Sequence, residues 1–268
     1  GFVERWHTPK DEEKHIYVML GPSAPFICSE KLLLWIREQA TKRGLNIHIH
    51  VAETLYEVDL MQKERGYRPL KSLDEIGFLG PDVSAAHCIH LDEEELELIK
   101  KRQVVPVHNP KSNMKLASGI APIAEMVAMG IDVALGNDGS ASNDNQDMFE
   151  EMRAAALLQK VARGDAAVIS AKDVLRMATE GGALACGIEA GVLDEGKLAD
   201  LVIVDLNQPH LFPLGNLINT LVYCARGSDV ETVIVNGRIV VRNRKVTTLS
   251  EEEVLQEAKQ VLAAKASF

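Results

Sequence analysis

The chain is expected to fold as an α/β protein on parallel strands, followed by a smaller β-rich segment. Three observations point there. Short apolar runs alternate with amphipathic stretches at roughly thirty-residue spacing, which reads as successive βα units. After Gly187 the pattern changes to closely paired β-rich runs around Asn236-Gly237. Hydrophobic residues make up 46% of the 268 positions and aromatics only 4%, so a sizeable core is available and must be mostly aliphatic.

The expected strands are residues 16–20, 47–51, 83–86, 104–107 and 132–135. Between them, Ser29 caps a helix through Arg43 that ends before Gly44. Residues 58–65 stop at Gly66, and residues 70–76 stop at Gly77. Asp92 with Glu95 forms a capping box opening a helix to Arg102. Residues 120–129 end at Gly130, and helices over 148–162 and 171–186 follow. A strand is expected over 199–206. Residues 232–235 and 238–241 flank Asn236-Gly237, a pair suited to a type I′ hairpin turn. Ser250 with Glu253 caps a last helix to about Lys265. Five βα units are visible, whereas a closed barrel needs eight strands. Either the sheet is open and doubly wound, or three strands lie upstream.

A net charge of −10 argues against a broad nucleic-acid surface. It does not exclude an anionic substrate, since a pocket can be locally positive. Cys28, Cys88, Cys186 and Cys224 show no paired spacing, which fits a reducing cytoplasm. No apolar stretch is long enough to span a bilayer, so no membrane partner is expected. The start, Gly1-Phe2-Val3-Glu4-Arg5-Trp6-His7, does not read as a signal peptide and lacks an initiator Met. An internal start or a processed chain is the expectation.

Candidate chemistry lies where the apolar runs end. His50 and Glu53 close the segment Ile47-His48-Ile49-His50-Val51-Ala52-Glu53-Thr54, His87 follows Ser84-Ala85-Ala86, and Asp138 follows Leu135-Gly136-Asn137. On parallel strands these side chains gather at one rim, where two imidazoles and two carboxylates suit hard-metal hydrolysis. His50 and Glu53, three residues apart, share a site only if the strand ends near Val51 and the chain turns back. Each residue also has a structural reading: His50 as a half-buried polar group, Glu53 as a helix-start carboxylate, His87 as a core histidine, Asp138 as a turn former. His48 is the competing ligand on the same strand face, with a packing role favoured. His90 is expected to be structural. His108 either lines the pocket or orients its loop. His7, His15 and His210 carry no chemical context. Their joint position at the same phase of successive units favours the functional reading of the first four.

These motifs resemble the amidohydrolase superfamily, in its cytosine-deaminase-like branch. They are similar to S-adenosylhomocysteine/5′-methylthioadenosine deaminases and to triazine chlorohydrolases. Four blocks carry the likeness: Gly21-Pro22-Ser23-Ala24-Pro25-Phe26, His50-Val51-Ala52-Glu53-Thr54, Ala86-His87-Cys88 with His90-Leu91, and residues 135–143 around Asn137-Asp138-Gly139. His108-Asn109-Pro110, Phe149-Glu150-Glu151-Met152-Arg153 and Gly196-Lys197-Leu198-Ala199-Asp200 also fit.

The resemblance implies a (β/α)₈ barrel beside a β-sandwich. The five runs would be barrel strands four to eight, so residues 1–190 would be the C-terminal part of the barrel. Residues 191–268 would be the sandwich segment and C-terminal helix. It implies one divalent metal, usually zinc and sometimes iron, with His50 and Asp138 among its ligands. His87 would sit beside the attacking water, Glu53 would shuttle protons, and Ser23, Glu53 and His87 would contact substrate. The implied reaction is hydrolytic deamination of an aminated heterocycle, an adenosine derivative first. Triazine chlorohydrolysis and guanine-type deamination are the alternatives. Family members commonly form homo-oligomers.

Two departures matter. The family's first-strand His-x-His pair has no counterpart, because His48-Ile49-His50 belongs to the block that carries Glu53. Ser23 also stands where many adenosine-type deaminases have His, which leaves triazines open. The chain is therefore expected to be the C-terminal portion of an enzyme of roughly 400–450 residues. The remainder would be on another chain or lost, and the isolated fragment inactive. A non-catalytic binding protein of the same fold is a further alternative. A doubly wound nucleotide-binding protein ranks low, since no Gly-x-Gly-x-x-Gly or Walker motif follows any apolar run.

Overall fold

A computed structural model describes residues 1–8 and 16–265. The chain divides into two compact units, Gly1–Gly191 and Val192–Phe268. In the first, a parallel sheet runs β1 (Ile47–Val51), β2 (Val83–His87), β3 (Val105–His108) and β4 (Ala134–Leu135), in that spatial order. A doubly wound sheet would reverse its order at a switch point. The described strands do not reverse, so that alternative falls.

Register explains how strand ends come together. Ile47 opposes Val83 and Val51 opposes His87, while His108 opposes Leu135, so the carboxyl ends finish side by side. Ile47, Ile49 and Val51 are buried, whereas His48 and His50 are half-buried on the other face of β1. β2 and β3 are buried throughout. Burial of each Ile or Val side chain stabilises the sheet by roughly 1.5–3 kcal/mol.

One expected strand is corrected. Residues 16–20 form only isolated bridges, Thr8 with Ile16 and Leu20 with Ile47. Register gives the reason: with Leu20 opposite Ile47, positions 16 to 18 lie against 43 to 45. There the helix Glu30–Arg43 ends and Gly44 turns left-handed, leaving no strand to pair with. Past Leu20 the chain still follows β1, since the His50 N–H donates to the Ser23 carbonyl at 3.0 Å.

The helices largely follow the periodicity. Ser29 caps Glu30–Arg43, which buries Leu33, Ile36 and Ala40. Leu55–Arg65 starts earlier than expected, because Thr54 caps it by accepting from the Glu57 N–H. Pro69–Glu75 ends just before Gly77, and Glu93–Arg102 opens on the Asp92–Glu95 capping box. The helix expected over 120–129 shortens to Ile123–Ala128, because Pro122 supplies its N-cap. Met148–Arg163 runs one residue past the expected end. The helix over 171–186 is interrupted: Ala171–Arg176 passes through a π-turn, Met177–Gly181, before Gly182–Cys186. At Gly181 the π-turn lies directly on β4. An added Cβ would sit 2.1 Å from the Val133 carbonyl oxygen.

The second unit carries an antiparallel sheet of β5 (Leu201–Val204), β6 (Val230–Val235), β7 (Arg238–Arg242) and β8 (Lys245–Val246), in that order. Asn236 and Gly237 both have positive φ, 48° and 73°, as a type I′ turn requires. The last helix is Glu251–Lys265, with Ser250 Oγ accepting from the Glu253 N–H. No helix among the described residues is long and apolar enough to cross a membrane.

Candidate active site

The strand ends carry unusual backbone. Ala52, His87, Cys88 and Asp138 all have positive φ, at 51°, 72°, 48° and 64°. None is Gly, so each holds an uncommon left-handed conformation. Strain of this kind clusters where side chains must be aimed. At Ala52 it turns the chain immediately after β1. The turn is held by the Ala52 carbonyl, which accepts from the Ile89 and His90 N–H groups. The reversal needed to bring Glu53 to the side of His50 is thus present.

Donor atoms of His50, His87 and Asp138 all lie within 4.8 Å of one another. The His50 and His87 rings stack with centroids 5.5 Å apart. His50 Nδ1 lies 2.6 Å from the Ser23 carbonyl oxygen, and His87 Nδ1 lies 2.9 Å from Asn113 Oδ1. Both partners are oxygen acceptors for an Nδ1–H, which leaves each Nε2 with a lone pair for the centre. Glu53 Oε2 is 3.7 Å from His87 Nε2, and Ser118 Oγ donates to Glu53 Oε1 at 3.3 Å.

Asp138 receives a dense set of donors. Ser112 Oγ donates to Oδ2 at 2.5 Å, Ser142 Oγ to the same oxygen at 2.8 Å, and the Gly139 N–H to Oδ1 at 2.7 Å. Partial burial would raise its carboxyl. The hydrogen bonds from Ser112, Gly139 and Ser142 outweigh that and hold it below the usual carboxylate range. Beneath Glu53 lies Glu57, 1% exposed, whose Oε2 accepts the Glu53 N–H at 2.9 Å. Burial pushes the Glu57 carboxyl up to about 7, against the pull of the Glu53 and Ala52 backbone N–H groups.

The residues singled out from the sequence are distributed as follows. His50, Glu53, His87 and Asp138 come together. Ser23 reaches the group through its backbone carbonyl on His50. His48 hydrogen-bonds Ser84 Oγ at 2.8 Å, and burial followed by the nearby His50 and His87 rings lowers its pKa. His90 Nε2 donates to the Ser118 carbonyl at 2.7 Å and so steadies the residue that holds Glu53. His7 Nδ1 accepts the Val18 N–H, and His210 pairs with Asp229 in the second unit. His15 lies outside the described residues. Ser112, Asn113, Ser118 and Glu57 were not singled out. Only the run His108-Asn109-Pro110-Lys111-Ser112-Asn113 hinted at the first two.

His108 is completely buried, with neither ring nitrogen partnered among the described residues. Burial, helped by His87, lowers its pKa from 6.5 to about 3. The folded chain therefore keeps it neutral, while the unfolded chain protonates it below about 6.5. Its contribution to stability is complete above 6.5 and is lost as pH falls towards 3. Urea midpoints of the wild type should fall more steeply than those of His108→Leu between pH 6.5 and 4. Parallel curves would show that His108 is solvated or paired in the folded chain.

The chain has likenesses among known proteins. The chain is similar to a 5-methylthioadenosine/S-adenosylhomocysteine deaminase of Pelotomaculum thermopropionicum, at 46% identity over 260 residues, covering 97% of this chain and 60% of the relative. Its structure resembles that of an adenosine deaminase from Xanthomonas campestris with bound zinc (TM-score 0.94, 33% identity, 99% of this chain and 61% of that one). It also resembles an atrazine chlorohydrolase of Arthrobacter aurescens complexed with zinc (TM-score 0.92, 26% identity, 97% of this chain and 58% of that one). The chain thus spans about 60% of the length of the proteins it matches. Residues 2–240 match the amidohydrolase family, and with so much of its length accounted for the chain belongs to that family.

Proposed function

We propose that the chain is the C-terminal part of a metal-dependent aminohydrolase that releases ammonia from an adenosine derivative, with 5-methylthioadenosine and S-adenosylhomocysteine the first candidates. The observation that carries this reading is the gathering of His50, His87 and Asp138 donor atoms within 4.8 Å, with the Glu53 carboxylate beside them. Residues 1–190 are read as barrel strands four to eight, the first reduced to the Leu20 bridge. Residues 191–268 are read as a share of a β-sandwich. The cytoplasm suits its four free cysteines.

The residues fit one divalent metal. Two imidazoles and a carboxylate are ligands that zinc accepts, with iron the alternative. Each imidazole's second nitrogen faces an oxygen acceptor, as histidines at metals require. His50 and Asp138 would hold the ion, with His87 in the same cluster. When bound, the metal supplies Lewis-acid activation of a water near neutral pH.

The chain's own groups handle the protons. Glu53 is anchored by Ser118 at one oxygen and by Glu57 at its backbone N–H. Its other oxygen can carry a proton from the attacking water to the ring nitrogen beside the reacting carbon. His87, fixed by Asn113, presents Nε2 to the attacking oxygen. Asp138, kept ionised by its donors, takes the second proton. The ring carbon passes through a tetrahedral intermediate, the C–N bond breaks, and the amine leaves with that proton as ammonia.

A second reading, triazine dechlorination, draws on Ser23 and on the chlorohydrolase likeness. Identity of 46% against 26% favours the adenosine reading. Ammonia release, chloride release and zinc content of the full-length enzyme that contains this chain, measured over adenosines, guanines and triazines, decide between them. Ammonia from an adenosine derivative is expected. Chloride from a chlorotriazine, with no ammonia from any adenosine, would transfer the assignment.

A further inference from the structure

Asp138 depends on hydroxyls from two different loops, and neither loop is held by a long element of its own. Ser112 lies in the six-residue helix Pro110–Lys115, and Ser142 in the four-residue helix Ser140–Asn143. Helices this short have little intrinsic stability. Lys115 Nζ ties the two directly at the edge, on the Ala141 carbonyl and on Asp144, and a buried contact to both comes from Glu151, in the first turn of the sixteen-residue helix Met148–Arg163.

Glu151 is fully buried. Its Oε1 accepts from Asn143 Nδ2 at 2.6 Å, and Asn143 adjoins Ser142. Its Oε2 accepts from the Lys111 N–H at 3.3 Å, and Lys111 adjoins Ser112. Asn143 Nδ2 also donates to the carbonyl of Asn137, the residue before Asp138, at 2.7 Å. One carboxylate therefore stands one residue away from each hydroxyl donor of Asp138. Through Asn143 it also reaches the strand exit that carries Asp138.

The chemistry of the contact demands a carboxylate. Both neighbours are donors, so both oxygens must accept. An amide would set its NH₂ against one of those donors. A buried carboxylate is costly unless its partners satisfy it, and here Asn143 and the Lys111 N–H do so. The deamination steps make no use of it.

We propose that Glu151 is a positioning residue for Asp138, a bracket that spaces the two serine loops so that both hydroxyls meet one carboxylate oxygen and the group stays aimed at His50 and His87. The proposal rests on reading that cluster as a metal-holding centre.

Zinc alone is the probe. Its dissociation constant is measured by chelator competition on the full-length enzyme that contains this chain, for the wild type, Glu151→Gln, Ser142→Ala, the double variant and Asp138→Asn. Glu151→Gln keeps the volume and loses one of the two contacts. It is expected to weaken zinc about tenfold. Adding it to Ser142→Ala should cost much less than the product of the two single effects, because both act through the same oxygen. A merely destabilising change would multiply through. Should Glu151→Gln fail to fold, Asn143→Ala removes the bracket from the loop side and takes its place. Zinc weakened by Asp138→Asn but untouched by Glu151→Gln overturns the bracket and keeps the metal reading. Zinc binding indifferent to Asp138→Asn overturns the metal reading instead. Hydrogen exchange then judges the bracket: amides of residues 137–143 opening at least about tenfold faster in Glu151→Gln, with the rest of the chain unchanged, support it, and unaltered exchange overturns it.

Discussion

In the full-length enzyme, Glu53→Gln is expected to cut hydrolytic turnover by roughly 10²–10⁴-fold while zinc content stays at the wild-type level. The amide keeps the shape of the side chain. Its oxygen can still accept from Ser118 Oγ, and the contact between the Glu53 N–H and Glu57 is a backbone contact that survives. What disappears is the ability to take a proton from water and pass it to the ring. Glu53 stands outside the cluster formed by His50, His87 and Asp138, so metal should be retained. Ammonia release and zinc stoichiometry on the same preparation check both halves. Undiminished turnover would remove Glu53 from the proton path, and loss of zinc would make it a ligand.

Gly181→Ala is expected to destabilise the first unit by about 3 kcal/mol or more, among the largest effects of any single methyl group in the chain. The new Cβ would meet the Val133 carbonyl oxygen at 2.1 Å and the Ala134 Cα at 3.1 Å. Both obstacles are backbone, so no rotamer change relieves them. The π-turn would have to lift from β4, the strand that leads to Asp138. Gly182→Ala is the matched control. One residue further on, its nearest neighbour would be 3.9 Å away, and its helical backbone suits Ala. There a gain of roughly 0.5–1 kcal/mol is expected from helix propensity. Urea denaturation of the pair checks this, and equal stabilities would show that the helix does not rest on β4.

Much of the architecture was legible because its signals are local. Apolar runs of strand length marked β1 to β3. Side-chain caps such as Ser29 and the Asp92–Glu95 box marked helix starts. Asn236-Gly237 marked the hairpin because few other residue pairs accept its two positive φ angles. The run at 16–20 misled because strand formation needs a partner at the right register, and its register partner is the end of a helix. The π-turn at Met177–Gly181 left no periodic trace, and the close approach of its Gly181 to the Val133 carbonyl exists only in the packed chain.

The candidate site divides along the same line. Residue type and phase within successive βα units were enough to nominate His50, Glu53, His87 and Asp138, because a parallel sheet sends every strand end to one side. The tertiary structure alone decided how they are held. Ser112 lies 26 residues from Asp138, Ser118 lies 65 from Glu53, and Glu151 lies 40 from Lys111. Ala52, His87 and Asp138 turn left-handed without the glycine that would have advertised it. Side-chain chemistry is written in single residues and short spacings, but aim depends on backbone strain and on hydrogen bonds between distant segments, and these exist only once the chain has packed.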